Sequence, residues 1–256
     1  MIREADNFEG GNPHDLAHSG WIHEESSFFM RCCSGCMPGC RATKYVQHAA
    51  KVPDEVVGDE DWNWCRMQTG LLPKGLTEEE RTKSVIATHE KTQTCGACCS
   101  CCGCLPAYME TKDAAGNTLG KTTYVCDACI CVPKFDVTDA NGAKRYHLRP
   151  DTCFGGICVK CVCGGKQGKC FHVPMIVRDP ETRQPLVVKG ENKTAQMSLL
   201  WAGLKNACCT KRNAYHLVFP DGATTNDKLT LMGSTILTDI LYFEQEDDSG
   251  GGGGGS

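Results

Sequence analysis

No stretch of this chain stays apolar for the roughly 20 residues a membrane-spanning helix needs. The nearest approach, 229–243, carries Thr230, Ser234, Thr235, Thr238 and Asp239, with Asp227 and Lys228 before it and Glu244, Glu246, Asp247 and Asp248 after it. An aspartate near the centre of a span costs about 2.5–3.5 kcal/mol on insertion scales. The stretch therefore reads as a buried core helix. Basic patches are missing too: the formal net charge is −4. Nucleic-acid binders carry a basic face, so no nucleic-acid partner is expected. The opening MIREADNFEGG has no apolar core of a signal peptide and no Arg-rich amphipathic character. Gly-x-Ser-x-Gly, a Walker loop and His-Glu-x-x-His are absent. No carboxylate pair has a catalytic frame and no fixed-period repeat occurs, so the chain is not expected to be an enzyme.

What the sequence does have is 21 cysteines. An odd number fits a fully disulfide-bonded secreted protein poorly. Adjacent pairs such as Cys32-Cys33, Cys98-Cys99, Cys101-Cys102 and Cys208-Cys209 fit it poorly as well. A chain of this length builds a core without staples. A reducing, intracellular compartment is expected.

Three regions are expected: an N-terminal extension over 1–22, one β domain over 23–246, and a flexible Gly-rich tail over 247–256. The tail is either an added linker or a native end. Residues 52–82 differ in composition and read as an insertion; within it, Thr77 and Glu80 form a capping box that starts a short helix. Most of the remainder reads as strands. KDAAGN (112–117) and TDANGA (138–143) separate strand pairs, and Asn141-Gly142 is a hairpin cue. RDPETRQP (178–185) separates two more, with Val173, Met175 and Val177 on one face and Leu186 and Val188 opposite. Two stretches break the alternation and read as helices. One is 194–204 (TAQMSLLWAGL). The other is 227–243, where Leu229, Met232, Ile236, Ile240 and Phe243 recur at helical steps.

The cysteines fall into four groups: Cys32–Cys40, Cys95–Cys104, Cys126–Cys131 and Cys153–Cys170. Between successive groups the chain makes one strand out and one strand back. In an antiparallel meander every second turn lies at the same end. All four groups should therefore share one end of the sheet, with Cys208-Cys209 as an open addition to them. Cys65, in the insertion, belongs at the other. Four Cys-x-x-Cys units meet by this argument: Cys33/Cys36, Cys95/Cys98, Cys126/Cys129 and Cys158/Cys161. Thiolate pairs from two loops make a tetrahedral zinc site, and iron–sulfur clusters use the same thiolates. The candidate ligands are Cys33, Cys36, Cys40, Cys95, Cys98, Cys101, Cys104, Cys126, Cys129, Cys131, Cys153, Cys158, Cys161 and Cys163. Free thiols are the plain alternative. S-acylation of Cys98, Cys99, Cys101 and Cys102 is another, since it would anchor the chain to a bilayer. His89, His147 and His172 lie near the same end, as ligands or as ordinary strand-end residues. Trp62 and Trp64 more simply pack the insertion than bind a partner.

An extended set of motifs resembles the phospholipid scramblase family, from about residue 32 to 246. They are CCSGCMPGC (32–40), CGACCSCCGC (95–104), GKTTYVCDACICVPKFDV (120–137), WAGL (201–204), YHLVFP (215–220) and LTLMGSTILTDILYFE (229–244). The resemblance implies a tubby-like fold, a closed antiparallel β-barrel around a hydrophobic C-terminal helix. It implies membrane association and, in calcium-responsive members, movement of phospholipids between leaflets. The family's two calcium-loop aspartates fall, by register from Phe219-Pro220, on Lys211 and Asn213, with Arg212 between them. Calcium wants carboxylate oxygens, so no calcium site is expected there.

Two functions remain open from the sequence. One is a scramblase-like, membrane-associated protein with cysteine-bound zinc or an iron–sulfur cluster, on a cytosolic or organellar face, with a phospholipid membrane as partner. The other is a metal-stabilised β scaffold that serves as an accessory subunit of a larger membrane-associated assembly. A redox or cysteine-dependent enzyme is a third and weaker reading, because nothing singles out one thiol.

Overall fold

The computed structural model describes residues 2–3, 18–25, 42–49, 77–92, 106–125, 132–151, 173–188, 193–200 and 214–243. In chain order the strands are β1 (Ile2–Arg3), β2 (His18–Glu24), β3 (Thr43–His48), β4 (Val85–Lys91), β5 (Tyr108–Asp113), β6 (Thr118–Tyr124), β7 (Phe135–Asp139), β8 (Lys144–Pro150), β9 (Val173–Arg178), β10 (Val187–Val188), β11 (Lys193–Thr194), β12 (Gln196–Leu200) and β13 (Ala214–Val218). The helices are α1 (Glu78–Ser84), just before β4, and α2 (Thr225–Thr238), which continues as a π-helical turn over Asp239–Phe243. Eleven strands form one antiparallel sheet in the order β1-β2-β3-β4-β5-β6-β7-β8-β9-β12-β13, and β10 pairs with β11 separately. The protein is thus mainly β, with a large antiparallel sheet and a C-terminal helix.

Three turns share one device: an aspartate that ends a strand and folds its carboxylate back on the turn. Asp113 Oδ1 accepts from the Ala115 and Asn117 amides at 2.9 and 2.8 Å. Asp139 Oδ1 accepts from Asn141 and Ala143 at 2.9 and 3.0 Å. In both, the fourth residue is a glycine at positive φ, Gly116 (88°) and Gly142 (82°). This is a type I turn closed by a left-handed residue, so Asn141-Gly142 does not form a two-residue turn of its own. Asp179 repeats the device after β9, accepting from Glu181 and Thr182. Arg183 there takes the left-handed position, φ 61°, without being glycine.

The sheet curls around α2. Gln47 on β3 bonds Met232, Arg145 on β8 bonds Asp227, Met197 on β12 accepts from Thr235, and Tyr215 on β13 bonds Asp239. On a flat sheet β3 and β13 would lie eight strand spacings apart, roughly 38 Å at about 4.8 Å each. A helix about 10–12 Å across can touch both only if the sheet wraps it. The closure expected of a barrel is not found: among the described residues no ladder joins β13 to the β1–β2 edge.

Being wrapped changes what α2 must look like. Of the expected stripe, Ile240 is buried but Leu229, Met232 and Ile236 are only partly covered, and the side chain of Phe243 lies outside the described residues; the most buried positions are Leu231, Ser234, Leu237 and Ile240. A helix covered on most sides has no single apolar face. Its buried hydroxyls turn inward to its own backbone: Thr230, Ser234, Thr235 and Thr238 donate to the carbonyls of Asn226, Thr230, Leu231 and Ser234 at 2.8–3.1 Å. No hydroxyl of that set is left unmatched against the apolar wall of Met109, Phe135, Val137, Leu148 and Val177. The helix starts at Thr225, two residues before the expected Asp227. Thr224 is its N-cap, in a capping box whose third member is Asp227.

The expected helix over 194–204 is a correction. Lys193–Thr194 and Gln196–Leu200 are strands, and 201–204 lie outside the described residues. Good helix formers are overridden here because β12 fills the slot between β9 and β13 and is laddered to both. The Thr77–Glu80 capping box is present: Glu80 N donates to Thr77 Oγ1 at 3.2 Å, and Thr77 N to Glu80 Oε2 at 2.9 Å.

Candidate functional site

The ladders bring ten strand ends into one row. Glu25 N bonds Lys44 O, which sets the end of β2 beside the start of β3. Thr43 pairs with Lys91, Lys91 with Met109, and Tyr108 with Thr123. Tyr124 then pairs with Phe135, Phe135 with Leu148, and Pro150 with Met175. Val173 pairs with Leu199, and Leu200 with Ala214. Five connections leave from and return to this row, and their sequences hold 20 of the 21 cysteines. Cys65 alone belongs to the connection from β3 to α1, which leaves from the opposite end.

All the candidate ligands, from Cys33 to Cys163, lie outside the described residues. So do Cys65, Cys170, Cys208, Cys209, His172, Trp62, Trp64, Lys211, Arg212 and Asn213. Among the described residues no group of three or more His, Cys, Asp or Glu is placed to hold a metal. What the structure supplies is the platform on which the cysteine-bearing connections are mounted.

The platform has a charge pattern. α2 begins at the far end, where Asp227 meets Arg145 at the turn end of β8. It finishes at the row, where Tyr215, the second residue of β13, donates to Asp239 Oδ1 at 2.5 Å. Burial first, then the facing Asp239 carboxylate, push the Tyr215 phenol well above its ordinary value. The negative end of the helix dipole therefore points at the cysteine end. In the same row of strand ends, on the inner face of β4, lies Lys91, only 2 % exposed. Its inward direction follows from period two: Ala87, His89 and Lys91 alternate inward, and Met109, in the core, is directly opposite. Thr43, the cross-strand partner of Lys91, is 3 % exposed, and its Oγ1 has no hydrogen-bond partner among the described residues. Sequence reasoning missed both residues, although the alternation that turns His89 inward also turns Lys91.

The two described histidines raised as ligands behave differently. His89 is fully enclosed, with Nε2 3.0 Å from Gln47 Oε1 and Nδ1 3.1 Å from Thr111 Oγ1. Both ring nitrogens are occupied, and burial holds its pKa down at about 4. It is a neutral core residue between β3, β5 and α2. His147 faces the outer side of β8, its Nδ1 2.7 Å from Asp136 Oδ1. Asp136 also takes Lys144 at 2.7 Å. Burial lowers the His147 pKa despite that carboxylate.

No helix among the described residues is long and apolar enough to cross a membrane. No protein-family model matches the chain, and no solved structure matches it.

Proposed function

We propose that this chain is a metal-stabilised β scaffold, in which thiolates from the cysteine-bearing connections bind zinc or an iron–sulfur cluster at one end of the sheet. It would serve as an accessory subunit of a larger, membrane-associated assembly. The observation that carries the metal reading is the row of ten strand ends, from which nearly every cysteine of the chain is mounted. Four Cys-x-x-Cys pairs anchored along one curled edge supply enough sulfur for more than one tetrahedral site. Metal there would tie these connections to one another. Elemental analysis and a visible spectrum of the purified chain test this. Stoichiometric zinc without colour, or iron with thiolate-to-iron absorption, supports it. Metal-free protein whose thiols all titrate in the native state overturns it.

A second reading, a scramblase-like lipid protein, is favoured by a different observation: the sheet wraps a buried C-terminal helix, as the resemblance implies. Its complete barrel would need a ladder between β13 and the β1–β2 edge. S-acylation at Cys98, Cys99, Cys101 or Cys102 would give it a membrane anchor. A liposome assay with fluorescent lipid separates the readings. The scaffold leaves leaflet asymmetry unchanged, and a scramblase collapses it.

A further inference from the structure

We propose that Arg178 and Arg183 form an oxyanion site on the outer face of the sheet, beside the Asp136–His147 pair, and that the site takes a phosphate group. It uses no cysteine and is independent of the metal reading.

The register places these groups in one row. Asp136 on β7 is directly opposite His147 on β8, and His147 is opposite Arg178 on β9. Opposed residues of antiparallel strands share a face. Val137, Leu148 and Val177, next to them in sequence, point into the core, so the row faces outward. Asp136 is already occupied: Oδ1 accepts from His147 Nδ1 and Oδ2 from Lys144 Nζ, each at 2.7 Å. Arg178 Nη1 donates to the Arg183 carbonyl at 3.1 Å, which holds the turn after β9 against the row.

Two guanidiniums therefore stand together with donors unused. An arginine offers five N–H groups. Arg178 uses Nη1 on a backbone carbonyl, and its buried Nε has no hydrogen-bond partner among the described residues. Arg183 Nη1 is 3.7 Å from Asp136 Oδ1, an ion pair too long for a hydrogen bond. The nearby Asp179 carboxylate is turned to the Glu181 and Thr182 amides instead. Among the described residues, the cations Lys144, Arg178 and Arg183 are met by one carboxylate, Asp136. Arg183 and Lys134 also act on the His147 ring as positive neighbours. Surplus positive charge on planar forks with open donors suits a phosphate held bidentately.

Arg183 supplies an independent sign. It holds φ 61°, a left-handed conformation that glycine adopts at less cost. The turns at 113–116 and 139–142 do place glycine there. Arg183 takes the conformation at a backbone cost and brings a half-exposed guanidinium to the row, open to an incoming ligand.

The test is a titration of the full chain with inorganic phosphate at constant ionic strength, with chloride as the matched control. It is followed by NMR on the arginine side-chain and His147 ring signals. Phosphate, and not chloride, should give saturable shifts. Arg178→Met and Arg183→Gly should each weaken binding by about tenfold. Arg178→Lys keeps the charge but loses the fork, and should weaken it nearly as much. Arg183→Gly should melt at or above the parent temperature, so its loss of binding is not a loss of fold. If Arg178→Met does not fold, Arg183→Gly decides alone. Shifts that fail to saturate, or that saturate alike in the parent and Arg183→Gly, overturn the proposal. Vesicles of phosphatidylcholine with and without phosphatidic acid identify the source of the phosphate. Sedimentation of the parent but not of Arg183→Gly with the phosphatidic acid vesicles makes it a lipid headgroup. Saturable phosphate binding without such sedimentation makes it a soluble ligand.

Discussion

Gly233 lies against His89 so closely that a Cβ at that position would stand 2.8 Å from the ring Nδ1 and 2.6 Å from Thr111 Oγ1. The contact fixes how deeply α2 sits on β4 and β5. Gly233→Ala would gain about 0.8–1.0 kcal/mol of helix propensity. It would also force the helix off a wall that includes the His89 hydrogen bonds, and overpacking of this kind costs about 1–3 kcal/mol. The net expectation is a lower midpoint of chemical denaturation, against the direction propensity alone gives. Gly120→Ala should behave alike, since its Cβ would meet Thr138 O at 2.6 Å and Thr230 Oγ1 at 2.7 Å.

His89 also sets a pH dependence. Burial lowers its pKa from 6.5 to about 4. Above pH 6.5 neither state binds the proton, and the stability is complete. Between 6.5 and about 4 the unfolded chain takes up a proton that the folded one refuses, so stability falls as pH falls. Over the whole window the loss is about 3 kcal/mol. Denaturant titrations at pH 7 and pH 4.5 should show most of it. His89→Gln, which does not titrate, should flatten this limb.

The hairpins were legible because each is written locally. Asp-x-x-Gly at 113–116 and 139–142 carries both the carboxylate that folds back and the residue that accepts positive φ. The row of strand ends was legible for a related reason, since antiparallel order depends only on counting strands. β12 was not legible. Met197 and Ser198 are both buried, on opposite faces, so the alternation that marks a strand is erased. The inner face of α2 was obscured for the same reason, because a helix enclosed on most sides shows no stripe. Lys91 was overlooked because a lysine at a strand end usually reaches water.

The start of α2 should be acid-sensitive at lower pH. Burial pushes the Asp227 carboxyl up, but the Arg145 guanidinium and the Thr224 amide and hydroxyl outweigh it and hold the pKa below the ordinary value. The ionised carboxylate therefore contributes stability above its unfolded pKa, and that contribution is lost as pH falls through the folded one. Asp227→Asn at pH 7 should cost about 1–2 kcal/mol, the usual scale for a cap. Its effect should shrink in strong acid, where the parent carboxyl is itself protonated. Arg145→Gln should produce a smaller loss, because the guanidinium is 43 % exposed on its side chain and partly screened.

The last helix decides how the protein could meet a bilayer, and core and anchor make opposite predictions. Leu237 has no exposed surface, and Leu231 and Ile240 are 1 % exposed. An anchor would place such side chains against lipid, whereas here Met109, Phe135, Val137, Leu148 and Val177 occupy that place. Leu237→Ala should cost about 2–5 kcal/mol, the range for buried leucines. Leu237→Asp would bury a carboxylate in an apolar core and should unfold the domain. Both follow from melts in buffer without detergent, with vesicle flotation run in parallel. The core reading expects the Leu237→Ala melting temperature to fall sharply while any vesicle binding of the folded fraction is unchanged. A Leu237→Asp variant that melts like the parent and loses only vesicle binding would make α2 the anchor, and the wrapped sheet would then need another account.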